Sequence, residues 1–168
     1  MLNEKMTIYC DMDGVIADFN GQPHALERFK TEKGFFANLD AITENLEALK
    51  VLMYRYRVII LSTSPNVQAD RDKFTWLMRH LPSLTLGQVI FTRPDKDKAD
   101  YVPVSADTLL IDDYTANLKA WRDKGGKTLK LVNKYDSIKG KHIELGIEFV
   151  TSLRQILSKA WPFFKTMI

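Results

Sequence analysis

Two aspartates separated by a single residue, Asp11 and Asp13 in Asp11-Met12-Asp13-Gly14, follow directly on the apolar run Thr7-Ile8-Tyr9-Cys10. In an extended segment that spacing turns both side chains to one side, so two negative charges share one site. The pairing is unfavourable unless a cation offsets it, and a set of oxygen ligands suits Mg2+. A second acid pair, Asp112-Asp113, ends the run Leu109-Leu110-Ile111 and can complete a cation site. Between the two pairs, Ser62-Thr63-Ser64-Pro65 follows Val58-Ile59-Ile60-Leu61. Hydroxyls there, with Pro65 placed for a first helical turn, can donate to phosphate oxygens alongside free backbone N–H groups. Arg93-Pro94-Asp95-Lys96-Asp97-Lys98 follows Val89-Ile90-Phe91 and offers a lysine that could neutralise a transferring phosphoryl group. Taken singly, each reads better as a cap, a turn or a surface residue. Their order, each after its own apolar run, shifts the reading to function.

The elements that must position these residues are short apolar runs alternating with helix-like stretches, the pattern of βαβ units and a parallel sheet. Strands are expected at Met6–Cys10, Val58–Leu61, Gln88–Phe91, Thr108–Ile111 and Thr128–Val132, and helices at 45–53, 69–80, 116–124 and 152–160. The first helix sets Leu46, Leu49 and Met53 on one face, and Gly125-Gly126 ends the third with an inexpensive left-handed cap. In an open α/β sheet, ligands bind beyond the carboxyl ends of the strands, where all four polar clusters fall. The 168 residues suit one domain, residues 1–168, and 45% hydrophobic with 27% charged residues excludes a disordered or fibrous chain. A lone Cys10 excludes a disulfide framework and a cysteine zinc cluster, and points to a reducing, cytoplasmic compartment. No apolar run reads as a signal peptide or membrane span.

The order and context of the four clusters resemble the haloacid dehalogenase (HAD) superfamily of phosphatases along roughly the first 120 residues. Within it, the runs Asp11 to Phe19, Ser62 to Pro65, Phe91 to Arg93 and Ser105 to Asp113 look like those of 5′(3′)-deoxyribonucleotidases. The resemblance implies a three-layer, Rossmann-like α/β core with a central parallel sheet, in which the strand ending at Asp11 lies between those ending at Thr63 and Asp112. It implies an aspartyl-phosphate mechanism, with Asp11 as nucleophile and Asp13 as general acid and then base. Mg2+ would be held by Asp11, the backbone carbonyl of Asp13 and Asp113, with Asp112 helping to position it. Thr63 and Ser64 would bind the phosphoryl oxygens with a lysine, for which Lys98 is chosen and Lys96 remains open. The substrate would be a small phosphate ester, a nucleoside monophosphate above all. A receiver-like phospho-acceptor fits less well, because here the lysine precedes the second acid pair, and a nuclease is favoured only by the basic segment.

Substrate choice in such enzymes resides in a cap inserted after the first motif, and only residues 20–40 are left for it here, a loop or a single helix around Ala25 to Lys30. Phe19, Phe35 and Phe36 are candidates to stack a base or close the pocket; ordinary core packing is the competing reading for the pair. From Lys119 to Lys141 there are eight Lys/Arg against Asp123 and Asp136, read first as a solvated face and second as an attractor of anionic substrate. No RNA-binding pattern accompanies it, so no stable nucleic-acid complex is expected. The histidines lack ligand-like spacing. Cys10 and Trp76 read as buried core residues, and the apolar tail Phe163–Ile168 packs on the body or forms a homodimer contact.

Overall fold

A computed structural model describes residues 3–136 and 140–158. Strand β1 (Asn3–Cys10) leads through a one-turn helix α1 (Ala25–Arg28) and a 3-10 turn (Phe36–Asn38) into α2 (Thr43–Arg55) and β2 (Tyr56–Thr63). Then come α3 (Val67–His80), β3 (Val89–Thr92), a 3-10 turn at Lys98–Asp100, and β4 (Thr108–Asp112). The chain continues through α4 (Thr115–Asp123), β5 (Lys127–Leu131), the short α5 (Lys141–Glu144), β6 (Phe149–Val150) and a 3-10 turn at Leu153–Leu157. The six named strands pair in parallel throughout and their order is β3-β2-β1-β4-β5-β6, so β1 does lie between β2 and β4.

The two faces of the sheet follow from strand alternation. Met6, Ile8 and Cys10 of β1, Val58 and Ile60 of β2, and Leu109 and Ile111 of β4 point to one side, where α2, α3 and the turn at Leu153–Leu157 cover them. Tyr9, Ile59, Leu61 and Leu110 point to the other, against Leu118 and Trp121 of α4. Crossovers running from β1 outward through β2 to β3 must place their helices on one face, and the crossover from β4 to β5 on the opposite one. Burial on both faces explains why the strands read as continuous apolar runs.

Five strands were expected, and six are present among the described residues. The sixth has two residues held by its neighbour: Lys130 N donates to Glu148 O at 2.9 Å and Val132 N to Val150 O at 2.8 Å. So short a segment has no periodicity to detect. The expected helix at 152–160 is instead a 3-10 turn through Leu157, capped by Ser152, and residues 159–160, like the tail Phe163–Ile168, lie outside the described residues. α4 ends where expected, with Gly125 at φ 87°. Cys10 and Trp76 are fully buried.

Residues 20–40 form a small insert pinned along α3. Gly34 N donates to Asp72 at 2.7 Å, Trp76 Nε1 to Leu39 O at 2.8 Å, Arg79 to Ala37 O at 2.9 Å, and Asn66 Nδ2 to Lys30 O at 3.3 Å. No described helix is long and apolar enough to cross a membrane.

Candidate active site

Sheet register assembles the site. Cys10 pairs with Ile60 on one side and Ile111 on the other, and Asp11 N donates to Ile111 O at 2.9 Å, so the residues that follow, Asp11 and Asp112, emerge side by side. Past Asp11 the chain folds back at once, with Met12 O accepting from Ile16 N at 2.9 Å and Ala17 N at 3.0 Å. This turn carries Asp13. It needs Gly14, which sits at φ 72° and whose Cβ, were there one, would run into the Asp113 carboxylate.

Each catalytic candidate has its own lysine. Lys98, 1% exposed, places Nζ 2.8 Å from Asp11 Oδ1 and 2.7 Å from Asp112 Oδ2. Burial works against its charge, but the two carboxylates prevail and raise its pKa above the ordinary lysine value. Lys96, the alternative, lines the outer cleft and is exposed. A second lysine escaped the sequence reading. Lys73 of α3 has no exposed surface and donates to Asp13 Oδ2, to Ser62 Oγ at 2.9 Å and to Thr63 O at 2.6 Å, with its Nζ 4.4 Å from the centre of the Phe36 ring. Its signal was present: it lies four residues after Ala69 and three before Trp76, on the helix's apolar stripe, where an uncompensated charge does not stay.

Four carboxylates against two ammonium groups leave the cluster short of positive charge. Oxygens of Asp11, Asp112 and Asp113 lie within 4.8 Å of one another, a donor set that fits a hard divalent cation such as Mg2+. Burial, then the charges of Asp112 and Asp11, push the Asp113 carboxyl well above its usual range. Burial and Asp11 likewise raise Asp112 despite Lys98. Asp13 is raised by burial and by Asp11, against the pull of Lys73, and its Oδ1 is buried with no hydrogen-bond partner among the described residues. Asp112 also accepts from Tyr114 N at 2.7 Å and Asn117 Nδ2 at 3.0 Å. Histidines take no part in this carboxylate cluster.

These groups open into a cleft of about 880 Å3. Thr63 lines it, with Oγ1 3.0 Å from Thr92 Oγ1. Ser64 does not reach it in this arrangement: it is fully buried and its hydroxyl donates to Asn66 O at 3.2 Å, serving the turn into α3. Phe19 and Phe36 line the cleft together with Phe29, which the sequence reading did not single out, and Lys30. Phe35 packs behind them, edge-on to Phe19 and Phe36 with ring centres 5.7 and 5.1 Å apart. The basic stretch after Lys119 is not uniformly a solvated face. Lys130, 3% exposed, turns inward and donates to the backbone carbonyl of Asp113, while Lys119 and Lys124 do make exposed ion pairs with Asp123 and Asp100.

The sequence pattern of one family, described as 5′ nucleotidase, deoxy (pyrimidine), cytosolic type C protein, matches residues 20–145, a span that takes in Thr63, Lys98, Asp112 and Asp113 and begins after Asp13. A curated relative from Staphylococcus epidermidis, named "Putative 5'(3')-deoxyribonucleotidase", is 32% identical over 95 residues, 55% of this chain and 49% of the relative. This chain thus spans about half the length of that relative. One of the same name from Vibrio phage KVP40 is 27% identical over 125 residues, 68% of this chain and 69% of that one. Among solved structures, a haloacid dehalogenase-like hydrolase from Streptococcus pneumoniae superposes with a TM-score of 0.64 at 12% identity, over 90% of this chain and 96% of that one. A D,D-heptose 1,7-bisphosphate phosphatase from Burkholderia thailandensis gives 0.61 at 18% identity, over 92% and 100%. At such identities these two establish the fold, which is that of the haloacid dehalogenase-like hydrolases.

Proposed function

The chain belongs to the 5′ nucleotidase, deoxy (pyrimidine), cytosolic type C family, and we propose that it is a Mg2+-dependent phosphomonoester hydrolase, specifically a 5′(3′)-deoxyribonucleotidase acting through an aspartyl-phosphate. The observation that carries this reading is the division of labour between two adjacent carboxyls. Asp11 has Oδ1 held by Met12 N and Lys98, both at 2.8 Å, which leaves Oδ2 for attack on phosphorus. Asp13, raised in pKa by burial and by Asp11 against the pull of Lys73, keeps a proton more readily and lines the cleft.

In the first step Asp11 Oδ2 attacks the phosphorus, the ester bond breaks, and Asp13 gives its proton to the departing nucleoside oxygen. In the second, Asp13 as carboxylate takes a proton from water, which attacks the acyl phosphate, releasing inorganic phosphate and restoring Asp11. Lys98 holds the nucleophile in line and balances charge on the phosphoryl group, and the Thr63 hydroxyl is placed to donate to its oxygens. Ser64 joins Thr63 in that role only by turning its hydroxyl away from Asn66. A divalent cation, held by Asp11, Asp113 and the backbone carbonyl of Asp13 with Asp112 behind them, would offset the repulsion between Asp11 and the incoming dianion. The apolar wall of Phe19, Phe29 and Phe36 suits the base of a nucleotide.

A panel of deoxy- and ribonucleoside 5′- and 3′-monophosphates and an aryl phosphate, with and without Mg2+, tests the proposal. Phosphate release that needs Mg2+, favours deoxynucleotides and vanishes in Asp11→Asn is the expected result. Release unaffected by Asp11→Asn, or cleavage of phosphodiesters alone, overturns it.

A further inference from the structure

The Asp113 carboxylate is gripped from two loops that belong to no strand or helix of the fold. Its Oδ2 accepts from Asn20 Nδ2 and from Asn133 Nδ2, both at 3.2 Å, and its backbone carbonyl accepts from the buried Lys130. The Asn133 amide has no freedom to reverse. Its Oδ1 accepts from Tyr135 N at 3.0 Å, and its own backbone N donates to Asp136 at 3.3 Å, so Nδ2 is the atom presented to Asp113. Asp136 in turn lies 3.3 Å from Lys130. On the other side, Asn20 opens the insert, Gly21 N donates to Asp18 at 3.0 Å, and Lys134 reaches Asp18 at 3.6 Å. The insert root and the loop after β5 touch so closely that a Cβ on Gly21 would meet both Asp18 and the Tyr135 hydroxyl.

We propose that Asn20 and Asn133 are positioning residues for the divalent cation. Together they hold one oxygen of Asp113 and so fix the other toward Asp11 and Asp112, which makes cation affinity depend on the seating of the insert. The inference rests on the reading of Asp113 as a cation ligand. Amide donors to a ligating carboxylate act in this way: they fix its rotamer, and losing such a partner typically costs 10- to 100-fold in metal affinity. Both amides are neutral, so they orient the carboxylate without cancelling the charge the cation needs.

Titration calorimetry of Mg2+ into the intact protein provides the test, with Asn20→Ala, Asn133→Ala, their double variant and Asp113→Asn side by side, each checked for an unchanged melting temperature in chelator. Each single variant is expected to weaken Mg2+ binding by about tenfold or more, and the double variant further. The Mg2+ concentration for half-maximal phosphate release should rise in parallel, while substrate KM at saturating Mg2+ stays put. Wild-type Mg2+ affinity in both single variants, with binding lost in Asp113→Asn, overturns the positioning role alone. Wild-type affinity in Asp113→Asn overturns the cation reading beneath it.

Discussion

Lys73 carries a charge with no exposed surface, which a protein tolerates only where acceptors surround it. Its three partners, Asp13, Ser62 Oγ and Thr63 O, belong to two different strand ends, so the ammonium group ties Asp13, the proposed general acid, to the end of β2 that carries Thr63. Lys73→Met keeps the stem's bulk beside Phe36 and removes these bonds. Turnover should fall by about 100-fold, the scale of a misplaced acid–base group, with little change in KM. Steady-state kinetics on the best nucleotide decides it, and an unaltered kcat would refute the role. Asp11, Asp13, Thr63, Lys98, Asp112 and Asp113 were legible in the sequence because each sits at or just after a strand end or on the next turn, where local pattern and fold agree. Lys73 lies far from any strand end and is marked only by its place on the apolar stripe of α3, and Asn20 and Asn133 are loop amides whose partner is distant in sequence. The Ser64 hydroxyl turns to Asn66 O, and the run Ser62-Thr63-Ser64 does not itself say which hydroxyl the turn into α3 will use.

The strands were legible because burial on both faces writes itself as aliphatic runs, and their ends fell within a few residues of expectation. Helix α2 shows where periodicity alone gives out. The expected stripe was Leu46, Leu49 and Met53, but the buried face also takes in Asn45, Ala48 and Leu52. Asn45, 3% exposed, is polar in a buried row because it joins two otherwise separate pieces of backbone: Nδ2 donates to Val15 O at 2.8 Å and Oδ1 accepts from Leu153 N at 2.8 Å. One partner lies in the turn that carries Asp13, the other in the turn that closes the described chain. Asn45→Ala orphans a buried acceptor and a buried donor together, so a loss of about 2 kcal/mol or more is expected in urea unfolding. A loss under about 0.5 kcal/mol, the size of an ordinary surface substitution, would mean water replaces the amide at both sites.

At the scale of the whole molecule, 21 of the 168 residues, 20–40, form the insert between the first acid pair and α2 to which the proposed function gives the shaping of the substrate pocket. Those residues are tied to α3 by Asp72, Trp76, Arg79 and Asn66, which makes the insert one fixed wall rather than a separate domain, and the opposite side of the cleft stays open past Pro94, Lys96 and Tyr114. The fixed wall is aromatic where it faces the cleft. The open side sets Lys96 among Asp95, Asp97 and Asp100, one cation against three carboxylates, so it offers an anionic leaving group little to bind. On the proposed function, selectivity comes from the aromatic wall, and it should favour a flat apolar leaving group over a small polar one. Deoxynucleoside and aryl monophosphates are expected to exceed glycerol phosphate in kcat/KM by about tenfold or more, the value of one good ring contact at about 1.4 kcal/mol per decade. Phe29→Ala, which opens the wall without touching Asp13 or Lys73, should lower kcat/KM for the aromatic esters more than for glycerol phosphate and so shrink the ratio. Equal kcat/KM for the two classes in the wild-type protein, or a ratio indifferent to Phe29, would mean that the insert encloses the phosphoryl group and takes no part in choosing what it is attached to.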